Sequence, residues 1–90
     1  MIDENFKDWL VKNGMGNKSA NDVLSRCRRI EKVLELSLNT SVKNTKDAEK
    51  IATMIREKQS KFFGTKTKTV YAVAVVVRAV NLYGEYRQSK

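Results

Sequence analysis

Side chains that carry out covalent or acid–base chemistry are scarce in this sequence. It holds one cysteine, Cys27, and no histidine, so the commonest general base and the commonest metal ligand are both missing. No close cluster of carboxylates takes their place as a metal site. A single cysteine excludes a disulfide within the chain, and its place on an apolar stripe marks Cys27 as a small core residue rather than a nucleophile. Tyr71, Tyr83 and Tyr86 read as core-edge residues with solvated hydroxyls rather than as base-stacking platforms. The glycines of Gly14-Met15-Gly16 lack the spacing and the following Lys-Ser/Thr pair of a phosphate loop. The expectation is a chain without catalytic activity of its own, without a metal and without a small-molecule cofactor.

Positive charge, by contrast, is abundant. Eighteen Lys and Arg face ten acidic residues in 90, a net charge of +8. A charge of that size on a small domain favours anionic partners, nucleic acid first and an anionic membrane surface second. It is concentrated in two places. In the stretch from Ser19 to Leu36, Asn21, Ser25, Arg28 and Lys32 line up at about 100° per residue on one helical face, with Arg29 beside them. Further on, from Lys58 to Gly84, there are five basic residues (Lys58, Lys61, Lys66, Lys68 and Arg78) and no acidic one.

The elements that must position these groups follow from hydrophobic spacing. Phe6, Trp9 and Leu10 form the apolar edge of a first short helix, capped by Asp3 and stopped by Gly14. Ala20, Val23, Leu24, Cys27, Ile30 and Leu34 recur at three and four, the buried face of a second helix that opens with Ser19 as its N-cap. The polar run from Ser37 to Thr45 favours turns, with Leu38 and Val42 tucked beneath as satellites of the core. Asn44 or Thr45 starts a third helix that buries Ala48, Ile51, Ala52 and Ile55 and gathers Arg56, Lys58 and Lys61 at its end. Thr65 to Thr69 alternates Thr and Lys, as an extended edge or a loop would. The last element, Thr69 to Arg87, is rich in valine, yet Arg78, Asn81, Glu85 and Gln88 repeat at three and four and break period two. That spacing predicts a long helix, apolar over a wide arc because others pack around it. Residues 1–90 therefore read as one all-α domain, a single four-helix bundle with room for a short extended or hairpin segment near residues 62–69.

With these elements in place, the chain resembles the SAM-like core-binding domain of phage integrases and related tyrosine recombinases. FKDWLVKNGMGNKSANDVLSRCRRIEKVL is similar to that domain's opening: Phe6, Trp9 and Leu10, then Gly16, Lys18 and Ser19, then Val23, Leu24, Arg28 and Ile30. TKTVYAVAVVVRAVNLYGEY is similar to its last helix, with Thr67 or Thr69, Val73, Val77, Arg78, Val80, Leu82 and Tyr83 in the matching places. The resemblance implies a helical bundle that clamps one side of duplex DNA, mainly through phosphates. It implies contacts from Lys18, Ser19, Asn21, Ser25, Arg28, Arg29 and Lys32 on the second helix, and from Lys66 and Lys68, with Thr67 and Thr69, before the fourth. The family's catalytic domain, with its arginines, histidine and nucleophilic tyrosine, has no counterpart here, and none of the three tyrosines is that nucleophile. The chain fits either a domain excised from a recombinase or a small phage or mobile-element protein.

Two partners follow. The first is double-stranded DNA, captured by the basic side chains, with Asn21 and Ser25 adding hydrogen bonds to phosphates or base edges. The second is an acidic protein, with Met15 or Phe62 as apolar anchors. A membrane-surface role is weaker, because the basic residues are spread over several elements. The longest apolar tract, Val70 to Val77, has eight residues, far short of the ~20 needed to span a bilayer. Asp3, Glu4, Lys7 and Asp8 interrupt any signal-peptide pattern, so a cytoplasmic location is expected.

Overall fold

The computed structural model of the protein describes residues 5–58 and 69–89, and among these there are helices and no strand. The helices are α1 (Asn5–Lys12), α2 (Asn17–Leu34), α3 (Leu38–Ser41), α4 (Thr45–Glu57) and α5 (Thr69–Gln88). The all-α bundle expected from the spacing is present, with one addition, the single turn α3. Asp3, Lys61 and the segment 62–68 lie outside the described residues, and Thr69 is already helical.

α1 ends in a Schellman motif. Gly14 takes φ +96°, its N–H donates to the Val11 carbonyl at 3.1 Å, and the Met15 N–H reaches back to Leu10 at 3.1 Å. Only glycine adopts that backbone without strain. The turn also sets where α2 begins. Gly16 is the N-cap, and its carbonyl already accepts from the Ala20 N–H at 2.9 Å. Ser19 is therefore inside the first turn and is not the cap expected from its residue type. At the other end Glu35 takes the left-handed conformation, φ 54° and ψ 48°, and the Leu36 N–H donates to Glu31 at 3.1 Å. A non-glycine residue there costs about 1 kcal/mol.

α3 is made by its surroundings rather than by its composition. Leu38 and Val42, one turn apart, are both fully buried, and so belong to the main core instead of lying as satellites beside it. The Glu31 carboxylate accepts from the Leu38 N–H at 2.9 Å, which caps the turn. Asn39 is held from α5: Tyr83 donates its hydroxyl to Asn39 Oδ1 at 2.6 Å, and Arg87 donates to the same oxygen at 3.1 Å and to the Asn39 carbonyl at 3.2 Å.

α4 starts at the expected cap, with Asn44 Oδ1 accepting from the Asp47 N–H at 2.9 Å. Gln88, at the far end of α5, accepts from both the N–H and the hydroxyl of Thr45 at 3.1 and 3.0 Å. The two helices touch more extensively than any other pair. A Cβ built on Gly84 would come within 2.7 Å of Ala48 Cβ and 3.0 Å of the Asn44 carbonyl, so this seam requires glycine. α5 also packs on α1 and α2. Its buried Val76, Val77, Ala79, Val80, Tyr83 and Tyr86 serve three partners, which explains the valine-rich arc. Arg78, Asn81, Glu85 and Gln88 form the exposed stripe that the spacing predicted.

An aromatic cluster ties α1 to α5. Phe6 meets Tyr83 edge-on at 4.9 Å between centroids and Tyr86 at 5.2 Å, while Trp9 meets Tyr86 at 5.7 Å. Trp9 thus serves as a core anchor, as expected. Tyr83 and Tyr86 are themselves buried, deeper than core-edge residues; the Tyr71 side chain lies outside the described part.

Candidate nucleic-acid interface

α2 has two faces because its sequence has two stripes. Its inner stripe, Ala20, Val23, Leu24, Cys27 and Ile30, is buried. Opposite it, Lys18, Asn21, Ser25, Arg28, Arg29 and Lys32 are all exposed. Six positions of an ideal helix at these numbers fill one arc of about 100°. No carboxylate falls within that arc, although Asp22 borders it. From Lys18 to Lys32 the face runs about 21 Å along the axis. Four cations separated by small hydrogen-bonding side chains therefore form a ridge pointing away from the core. Arg29 also has an interaction within the fold.

Ser19 does not share this face. By helical geometry it lies about 80° beyond Arg29, on the flank that turns toward α5. There it lines a groove of about 500 Å³ together with Asn13, Gly16, Asp22, Arg26 and Arg78. Lys66, Lys68 and Thr67 lie outside the described residues, as does the Thr69 side chain. The structure thus brings six of the proposed contact residues onto one face and sets Ser19 on another.

Reading by residue type passed over Arg26, and placed Arg78 in the basic run from Lys58 to Gly84 and on the polar stripe of the last helix without pairing it with α2. The first had a signal: Ser19, Asp22 and Arg26 repeat at three and four and form a second polar edge on α2. The second had none, since only the packing of α5 against α2 carries Arg78 to the same groove. α4 contributes Arg56, which with Arg78 and Asn81 borders a shallower groove on the other side of α5.

Cys27 lies fully inside, with its thiol directed at the Ala79 carbonyl at 3.6 Å. Burial, and secondarily the nearby Glu31 carboxylate, push this thiol up to about 12 from 9.0. It is held protonated and away from solvent, as a core residue. No described helix is long and apolar enough to cross a membrane. Comparison of the chain with protein-family models, with curated proteins and with solved structures finds no match.

Proposed function

We propose that this protein is a DNA-binding module, non-catalytic by itself and of the kind found as the core-binding domain of tyrosine recombinases, that docks on duplex DNA through the outer face of α2. The observation that carries this reading is the carboxylate-free arc of Lys18, Asn21, Ser25, Arg28, Arg29 and Lys32, exposed along one side of a single helix. Cations on a rigid rod meet a regular array of phosphates well. The ~21 Å of the ridge corresponds to about six base-pair steps of 3.4 Å. Lys18, Arg28, Arg29 and Lys32 take phosphates, while Asn21 and Ser25 reach phosphates or base edges. Lys66 and Lys68 add to the same charge in sequence.

A partner protein bearing acidic residues would use the same ridge. Such interfaces centre on buried aromatic or aliphatic anchors. Among the described residues the exposed large apolar side chain is Val11, at 40%, which lies on α1.

The test is duplex binding by fluorescence anisotropy across a salt series. Four phosphates neutralised by α2 give a log K against log salt slope of about −3.6, and a fifth, from the lysine segment, about −4.5. Replacing Arg28, Arg29 and Lys32 together by alanine reduces the slope by about 2.7. Binding that stays flat with salt, or that survives the triple replacement unchanged, refutes the reading.

A further inference from the structure

The groove between the start of α2 and α5 is separate from the outer ridge. Its lining residues include two arginines from different helices, Arg26 of α2 and Arg78 of α5, with Ser19, Asn13 and Asp22 beside the apolar Val23 and Val75. Arg78 is exposed and Arg26 half-buried, and neither has a hydrogen-bond or ion-pair partner among the described residues. Two arginines bordering one concave surface, each long enough to turn its guanidinium toward a ligand, supply donors suited to the oxygens of a phosphate. Gly16, the N-cap of α2, has no side chain to offer the first-turn N–H groups, and that turn contains no acidic residue.

The charge balance of the lining suits an anion. Two guanidinium groups against one carboxylate leave a single positive charge in the lining. A backbone phosphodiester carries one negative charge, whereas a terminal or inorganic phosphate carries about 1.5 to 2 at neutral pH. The groove is also placed to receive a strand already seated on the ridge. Arg26 and Arg29 are three residues apart, neighbours on the helix surface with about 5–6 Å between their Cβ atoms.

We propose that this groove is a second anion site that seats one phosphodiester of the DNA backbone between Arg26 and Arg78, with Ser19 donating a further hydrogen bond. It rests on the DNA-binding reading for the source of the phosphate. Asp22 limits its strength.

The experiment follows the amide resonances of the full-length 15N-labelled chain during two titrations, one with inorganic phosphate at constant ionic strength and one with a short duplex. The duplex is expected to shift Gly14, Gly16 and Ser19 together with the ridge residues, and inorganic phosphate to shift the same three at higher concentration. Arg26→Gln with Arg78→Gln, both compatible with helix and at accessible positions, abolishes the groove shifts and weakens duplex binding about tenfold. Asp22→Asn strengthens it about two- to fivefold. Salt-sensitive duplex binding with still groove amides, and unchanged in the double variant, overturns the groove site and leaves the DNA-binding reading standing. Groove shifts with inorganic phosphate but no duplex binding overturn the DNA source and reveal a site for free phosphate. Weaker binding in Asp22→Asn also overturns it, because a carboxylate that aids binding implies a ligand donating to it.

Discussion

α2 and α5 are the two longest helices, and they are built in opposite ways. α2 buries one stripe and leaves an uninterrupted cationic arc in solvent. α5 is packed by α1, α2 and α4, and keeps only a narrow polar stripe outside. The difference separates two jobs. Apart from Arg29, which has an interaction within the fold, the residues of the outer arc of α2 are exposed and outside the core, so that surface is free to be shaped by a ligand. α5 has far less such freedom, because outside its narrow stripe of Arg78, Asn81, Glu85 and Gln88 its surface is packed by other helices. A central helix can therefore afford valine in place of stronger helix formers, since tertiary packing rather than propensity fixes its conformation.

Substitutions can break this contrast in graded steps. Gly84→Val places branched carbons where the Ala48 side chain and the Asn44 carbonyl already stand. It should destabilise the fold by about 3 kcal/mol. Thermal melting checks this, and an unchanged midpoint would mean that α4 and α5 do not approach so closely. The Arg28/Arg29/Lys32 triple alanine variant makes the opposite case. Its stability to denaturant should stay within about 0.5 kcal/mol of wild type while its duplex affinity falls.

Cys27 joins the two helices, and its titration reports on that junction. Its thiol is raised from 9.0 to about 12 in the fold, so the folded state holds a proton that the unfolded state loses. The stabilisation is complete below pH 9.0 and disappears as pH rises toward about 12. Cys27→Ala should remove this part of the alkaline decline, read as the difference between the two proteins' stability–pH curves. Parallel curves would place the thiol in contact with water.

Smaller effects distinguish the helix starts. Asn44→Ala removes the cap of α4 and should cost about 1 kcal/mol. Ser19→Ala should cost almost nothing, because Gly16 occupies the cap position of α2. Equal losses would put the start of α2 back at Ser19. Last, Glu35→Gly relieves the left-handed residue at the end of α2 and should add about 0.5–1 kcal/mol in chemical denaturation.

What could be read from the residues alone follows the same division. The stripes of α2 are local, so the spacing of Asn21, Ser25, Arg28 and Lys32 was enough to place them on one exposed face. The helical state of α5 was also legible, through Arg78, Asn81, Glu85 and Gln88, against the strand preference of its valines. α3 was not: Ser, Thr and Asn argue for a turn there. It is the burial of Leu38 and Val42, with Glu31 reaching over to cap, that closes the helical turn. Ser19 was misplaced for a related reason. Its residue type suits a cap, but the Schellman turn at Gly14 delivers the chain to the helix at Gly16. The groove of Arg26 and Arg78 needed the pairing of two helices far apart in sequence, which no periodicity encodes.

The central position of α5 has a bearing on how the chain is made. α1, α2 and α4 each turn an apolar face toward a helix that begins only at Thr69. Synthesis proceeds from the N-terminus, so those three faces emerge before their common partner exists. Until Tyr83 and Tyr86 arrive, Phe6 and Trp9 have only each other's ring to meet. A nascent chain stopped before α5 lacks the helix on which α1, α2 and α4 all pack, and leaves their apolar faces largely uncovered. The central packing of the bundle is therefore completed only when α5 has emerged.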